Sequence, residues 1–315
     1  MIKEEKKLSR GVLLTCFGKR GYYFAAYNFA FSIKYHNPDI KIAILHDGRI
    51  EEELSYQWMP SMFDYKIRIP DEILWNGGKI DPAFIKINSL PFSPFDLTLQ
   101  MDVECQAFQD LNIIFDELEK DGGYFYSQII GQYNISQGRD MEQMVWAYAD
   151  DIWNHFNLPA DAILPATNSS FQSCKKGEEA SALHQQLLKN YSYPIPIDRL
   201  RWAWGGTQPD ELYLNVALAQ KGIIGKTPRE YLFMGNSSTD CRQEDIMNQF
   251  PIMCFFGNRN QTRPFFIDWY DGNLIRWHSA QGKAHFLKYH LIQADKHAND
   301  SVFRRINNDY VDDII

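Results

Sequence analysis

The stretch Phe95-Asp96-Leu97-Thr98-Leu99-Gln100-Met101-Asp102-Val103-Glu104-Cys105-Gln106-Ala107-Phe108-Gln109-Asp110 sets two acids inside an apolar run. Leu97, Leu99 and Met101 lead up to Asp102 and Glu104, and Val103, Cys105, Ala107 and Phe108 follow. Read as a buried strand, Leu97 to Val103 delivers a carboxylate pair, spaced i and i+2, to the end of a sheet. Desolvation and mutual repulsion make such a pair costly unless a cation or hydrogen-bond donors compensate. A hard divalent metal relieves both. With 40 acids among 315 residues, roughly five acid-x-acid triplets arise by chance, so the neighbouring segments must decide the reading.

Upstream, Val12 to Phe17 is an apolar, partly β-branched run that reads as a buried first strand, ending in a Gly18-Lys19-Arg20-Gly21 turn. Tyr22 to Tyr35 has helical spacing, Asn37-Pro38-Asp39 stops it, and Ile42 to Leu45 reads as a second strand. Strand, helix, strand predicts a right-handed crossover and a parallel sheet. Downstream, Tyr124 to Ile130 reads as a strand, and Met141 to Phe156, Ala180 to Tyr191 and Asp210 to Gln220 read as helices. Tyr193 to Ile197 is a Pro-interrupted loop. Beyond Gly235 the pattern is irregular, with a hairpin expected around Asp271-Gly272, joining Phe265 to Tyr270 with Leu274 to Trp277. No repeat or linker divides the chain, so one domain is expected.

The length and 45% apolar content are enough for a full core. A net charge of -8 and a pI near 5.5 disfavour a nucleic-acid partner, which needs a positive stripe. Local cations such as Lys19, Arg20, Lys86 and Lys283 still suffice for one small anionic ligand. Five scattered cysteines without a C-x-x-C pair argue against a disulfide framework or structural zinc. No run reaches the length of a transmembrane helix, and no secretion signal is read at the N-terminus, so the expected location is cytoplasmic.

Together these residues resemble the GT-A type nucleotide-sugar glycosyltransferases, specifically the glycogenin-like and lipooligosaccharide galactosyltransferase-like group. The resemblance covers about Val12 to Lys221 and extends loosely to Lys283. It implies an α/β fold with a mostly parallel central sheet flanked by helices. Residues 1–235 would form the nucleotide-sugar-binding core, and 236–315 an extension completing the active site within the same domain. Asp102-Val103-Glu104 occupies the D-x-D position, with glutamate as the second acid, which leaves open a shifted metal position or a metal-free site. Lys86, sixteen residues earlier, matches the lysine that approaches the donor phosphates or sugar. Tyr22 matches the tyrosine that lies against uracil, with Tyr23 as its competitor. Asn168-Ser169-Ser170-Phe171 is similar to the N-S-G segment facing the sugar, without its glycine. Asp210-Glu211-Leu212-Tyr213-Leu214-Asn215 matches the D-Q-x-x-L-N helix start, with Glu211 in place of glutamine. His278-Ser279-Ala280-Gln281-Gly282-Lys283 stands for the closing H-x-x-G-x-x-K, one residue longer before the glycine and shorter after it.

What the resemblance implies is a hexosyltransferase that moves a sugar from a UDP-sugar to an unidentified hydroxyl acceptor, with retention at the anomeric carbon. Asp102, Glu104 and His278 would hold Mn²⁺ or Mg²⁺, with His285 and His290 competing for the third place. Tyr22, Lys86, Asp102, Asn168, Ser169 and Lys283 would bind the donor, and Asp210 and Glu211 would act in catalysis. Trp202 and Trp204 offer flat faces to an acceptor sugar. The alternatives are a weak or inactive binding protein on the same fold, or a sugar nucleotidyltransferase. The latter lacks a clear Gly-rich pyrophosphate loop at Gly18 to Gly21.

Overall fold

The computed structural model describes residues 8–18, 20–53, 62–137, 146–200, 208–223, 225–235 and 248–255. Strand β1 (Arg10–Cys16) is buried along almost its whole length, leads into helix α1 (Arg20–His36), and is followed by β2 (Lys41–His46). Two β-branched or leucine-rich strands buried on both faces are what a parallel sheet covered by helices requires. A short helix α2 (Ile50–Glu53), strand β3 (Tyr65–Arg68) and helices α3 (Asp71–Leu74) and α4 (Pro82–Ile87) come next. Then follow β4 (Leu97–Met101), β5 (Cys105–Ala107), α5 (Asn112–Asp121) and β6 (Phe125–Tyr133). Helix α6 (Ala149–Phe156), the long strand β7 (Leu164–Lys175), α7 (Glu178–Tyr191), α8 (Asp210–Lys221), β8 (Leu232–Gly235) and β9 (Ile252–Phe255) complete the order.

The main sheet has the order β3-β2-β1-β4-β7-β6. β1 runs parallel to β2 and β4, β2 runs parallel to β3, and β7 is antiparallel to both β4 and β6. The expected mixed α/β fold with a mostly parallel sheet is therefore what forms. The chain builds outward from β1 to β3, then returns to the other side of β1 with β4. This reversal opens a crevice at the carboxyl ends of β1 and β4, where open α/β sheets bind ligands. A small second sheet, β5-β9-β8, pairs Cys105 with Cys254 and brings residues 252–255 beside the segment that follows the acid pair. No helix among the described residues is long and apolar enough to cross a membrane.

Three local expectations change. The strand expected over Leu97 to Val103 ends at Met101; Val103 and Glu104 form a turn before the chain re-enters a strand at Cys105. Of the helix expected over Met141 to Phe156, Ala149–Phe156 forms, Ala147 instead bridges Leu200 and Trp146 adopts a left-handed φ of 62°, and residues 141–145 lie outside the described residues. The turn expected through Gly21 closes earlier, since α1 already begins at Arg20. The hairpin around Asp271-Gly272 lies outside the described residues.

β1 packs closely under the segment leading into β4. A Cβ on Gly11 would fall inside the buried ring of Phe95, which itself meets Tyr65 edge-on at 5.6 Å. Gly11→Val should therefore destabilise the fold by about 2 kcal/mol through overpacking, and Phe95→Leu in the same chain should recover part of the loss. Urea unfolding of the single and double variants checks this; equal stability of Gly11→Val and the parent contradicts it.

Candidate active site

Four segments distant in sequence meet at the carboxyl end of β4. Lys86, in the last turn of α4, places its ammonium 2.7 Å from Asp102 Oδ1 and 3.5 Å from Asp210 Oδ2. The same ammonium donates to Ser169 Oγ at 2.9 Å, and Ser169 Oγ donates to Glu211 Oε1 at 2.9 Å. Ser170 Oγ donates to the other oxygen of Asp102 at 2.7 Å. One lysine thus joins three of the predicted acids, directly or through a hydroxyl. Asp102, 30% exposed, and Asp210, 19% exposed, remain partly accessible to solvent.

Each side chain is held by a local device. Helix α4 is capped by Asp81, which accepts from Phe84 N at 3.2 Å and from the Tyr191 hydroxyl at 2.8 Å. Its last turn is tied to β4 because Gln100 Nε2 donates to the Lys86 carbonyl at 3.2 Å and to Ser89 Oγ at 2.6 Å. Strand β7 pairs with β4 up to Met101 opposite Phe171, and Asp102 N donates to Ser170 O at 3.2 Å. Against β6, however, the register jumps from Gln172 to Asn168, so Ser169, Ser170 and Phe171 bulge out. The bulge aims a strand's side chains out of strict alternation. Ser127 Oγ bridges the Asn168 and Phe171 carbonyls, and Asn168 Oδ1 accepts from Ser170 N at 2.9 Å, so the bulge is internally satisfied.

Helix α8 is fixed to β7 by buried Asn215, whose Oδ1 accepts from Thr167 N at 3.1 Å and Thr167 Oγ1 at 2.6 Å. That clamp sets the distance of the first turn, Asp210 and Glu211, from Ser169. The helix N-terminus favours both acids there. Asn215 therefore matters as a spacer, although nothing but its place in the Asp210 motif marks it in the sequence. Ser170 is the other contributor the sequence reading left out of the site; its place beside Ser169 in a run of small polar residues is the signal.

The charges are strongly interdependent. Burial alone would lower the Lys86 pKa, but Asp102, Asp210 and Glu211 more than offset it and raise it, so the ammonium stays charged. Burial, then Asp210, pushes the Glu211 carboxyl up to about 7, against the opposing pull of Lys86 and the Ser169 hydroxyl. Near neutrality Glu211 is thus poised between acid and carboxylate beside a fixed cation.

The remaining predicted residues fall in different places. Asn168 is buried in the bulge and its amide Nδ2 lies 2.8 Å from Met234 Sδ, so it supports the loop. Tyr22, at the start of α1 beyond the end of β1, is partly exposed and packs on the main core. Its competitor Tyr23 is fully buried with its hydroxyl on Asp47, so of the two rings only that of Tyr22 is partly exposed. Glu104 is exposed in the turn after β4. His278, Lys283, His285, His290, Trp202 and Trp204 lie outside the described residues. Among the described residues no group of three or more His, Cys, Asp or Glu side chains forms a metal cluster. Asp102 and Glu104 do supply hard carboxylate oxygens of the kind Mn²⁺ or Mg²⁺ takes, with Lys86 competing for one of them.

No protein-family model and no curated protein sequence matches this chain. Among solved structures, it is similar to the galactosyltransferase LgtC in complex with donor and acceptor sugar analogues, at 12% identity and a TM-score of 0.48 over 79% of this chain and 88% of that one. It is similar to mouse xyloside xylosyltransferase 1 in its apo form, at 11% identity and a TM-score of 0.46, covering 80% and 98% of the two chains. The bifunctional glycosyltransferase WbbM gives 11% identity and a TM-score of 0.48, over 82% of this chain and 47% of that one.

Two outcomes follow from the cluster. Lys86→Met strands two carboxylates and should cost on the order of 3 kcal/mol, while Asp210→Asn added to it should restore part of that loss. Additive losses in urea unfolding contradict the coupling. Glu211 keeps its proton in the folded chain above the ordinary 4.5, so its contribution to stability is complete below that value and is lost as pH rises through about 7. Glu211→Gln, neutral at every pH, should flatten this decline between about pH 5 and about pH 7. An unchanged pH slope of the unfolding free energy contradicts it.

Proposed function

We propose that this protein is a glycosyltransferase that moves a hexose from a UDP-sugar to a hydroxyl acceptor, retaining the anomeric configuration and using Mn²⁺ or Mg²⁺. The observation that carries the reading is the convergence of Lys86, Asp102, Ser169, Asp210 and Glu211, from four separate segments, at the carboxyl end of a parallel strand. A purely structural lysine needs one counter-charge; this one faces three acids in a crevice open to solvent.

In this reading Asp102, Glu104 and His278 hold the cation, and Tyr22 lies against the uracil. When bound, the cation supplies positive charge to the diphosphate as it departs. Lys86 adds a preorganised positive charge of its own, already desolvated and fixed by Asp102. Lys283 would meet the same diphosphate from the C-terminal extension. Asp210, accessible at the head of α8, hydrogen-bonds the donor sugar and steadies the positive charge that develops on it. Glu211 sits behind Ser169, where its titration near neutrality sets how much negative charge the sugar feels. Ser169 and Ser170 hold these carboxylates at fixed distances, so no reorganisation is needed as charge develops.

A metal-free variant of the reaction has one observation in its favour. The Lys86 ammonium sits 2.7 Å from Asp102, at the place where a cation would otherwise neutralise that acid. Calorimetric titration of UDP with Mn²⁺ and with EDTA separates the two, since equal affinity in both removes the metal role.

The test of the function itself is UDP release from a panel of UDP-sugars, read beside UDP titrations of folded variants. Asp102→Asn should weaken both UDP affinity and turnover. Asp210→Asn should leave UDP affinity nearly intact and slow transfer by about 10²-fold or more. Wild-type turnover in Asp210→Asn reduces that acid to a helix-terminal charge, and failure of every nucleotide to bind favours the binding-protein alternative.

A further inference from the structure

Away from the lysine cluster, the small sheet sets two cysteines face to face. Cys105 on β5 stands directly opposite Cys254 on β9. Both are free thiols buried in the main core, and the two are hydrogen-bonded to each other. They come from distant segments of the chain, with no C-x-x-C spacing to mark them as a pair.

The hydrogen-bond phase of the ladder decides what this pair can become. One step beyond the paired residues, Phe108 N donates to Pro251 O at 2.8 Å, across the strands. That position is therefore a hydrogen-bonded one, and antiparallel pairs alternate. Counting back along the register, Ala107 and Ile252 are non-hydrogen-bonded, Gln106 and Met253 hydrogen-bonded, and Cys105 and Cys254 non-hydrogen-bonded again. The amides of the intermediate pair agree: Ala107 N donates outward to Ser32 Oγ at 3.0 Å, and Ile252 N donates outward to Tyr231 O at 3.1 Å. Non-hydrogen-bonded partners hold their Cα atoms about 4.5 Å apart, with both side chains on one face. A disulfide spans Cα separations of roughly 4.4 to 6.8 Å. The native register thus accepts the bond with the strands left in place.

We propose that Cys105 and Cys254 form a reversible disulfide, a redox latch that joins β5 to β9 just after the acid pair, with a peroxide as the oxidant. One sulfur attacks the peroxide, the O–O bond breaks, and a sulfenic acid and one water result. The second sulfur then attacks the sulfenic sulfur, the S–O bond breaks, and the departing oxygen leaves as a second water with the remaining proton. Two thiols lose two electrons and two protons, and the peroxide takes up both. β5 is a three-residue strand at the end of its sheet's order, so a short local opening admits an oxidant this small. Cys105 directly follows Glu104, and the chain beyond Cys254 runs on to His278 and Lys283. The latch therefore ties that stretch to the chain three residues past Asp102. It stands whether or not the chain transfers sugar, because its formation is read without nucleotide.

The full chain, reduced and freed of reductant, is treated with a slight excess of hydrogen peroxide, alkylated and mapped by peptide mass spectrometry without reduction. The expected result is one crosslinked peptide pair carrying Cys105 and Cys254. The melting temperature should rise by about 5 °C or more, since the bond closes a long loop, and dithiothreitol should reverse both changes. Cys254→Ala and Cys105→Ala, each verified as folded by circular dichroism, should lose the crosslink and the shift; the map of the parent decides the matter alone should both variants unfold. Recovery of Cys105 and Cys254 as alkylated thiols after peroxide, or their linkage to Cys16, Cys174 or Cys241 instead, overturns the proposal. So does a Cys105–Cys254 crosslink that lowers the melting temperature, because the native register would then not accommodate it.

Discussion

The ion pair between Lys86 and Asp102 is the constraint on which the rest of the site depends. A carboxylate at the end of a buried strand, next to a second acid two residues on, is tolerable only with compensating charge. The chain meets this requirement from within, by bringing a lysine sixteen residues upstream onto the acid at 2.7 Å. That lysine then becomes the counter-charge for Asp210 and, through Ser169, for Glu211. Each acid lowers the cost of burying the lysine, and the lysine lowers the cost of gathering the acids. The cluster is therefore cooperative, and its members act as a unit.

The geometry of that unit comes from one irregularity in the sheet. Strand β7 runs antiparallel in an otherwise parallel sheet, and it bulges at Ser169 to Phe171 opposite the Ser127/Gln128 step of β6. A regular strand would point Ser169 and Ser170 to opposite faces. The bulge instead lets Ser170 reach Asp102 while Ser169 reaches Lys86 and Glu211. Asn215 clamps α8 to Thr167, just before the bulge, so strand, bulge and helix start form one rigid bracket.

How much of this was legible in the sequence depends on where polarity and periodicity agree. β1, α1, β2 and β4 carry strong apolar patterns, and all four form within a few residues of the expected places. β7 carries almost none: Thr167, Asn168, Ser169, Ser170, Gln172 and Ser173 are all buried, yet they are polar, and no strand is expected there from the sequence. Thr167, Asn168, Ser169 and Ser170 are stable there because their side chains are hydrogen-bonded. β3 is missed for the opposite reason, being a largely exposed edge with little alternation. In the site, Lys86, Asp102, Ser169, Asp210 and Glu211 were legible as separate motifs, and the structure joins them. Ser170 and Asn215 were legible only as members of the Asn168 and Asp210 segments, and their own roles arise from the bulge and the clamp.

The central claim is that the Lys86 cluster receives the sugar diphosphate of a uridine nucleotide. Saturation-transfer NMR on the full chain with a panel of UDP-sugars tests it most directly, because it reads contact at each end of the donor separately. The expected result is saturation of the uracil protons, from Tyr22, together with the anomeric proton of at least one sugar, both lost when excess UDP is added. Absence of saturation on every UDP-sugar, with or without Mn²⁺, would contradict it.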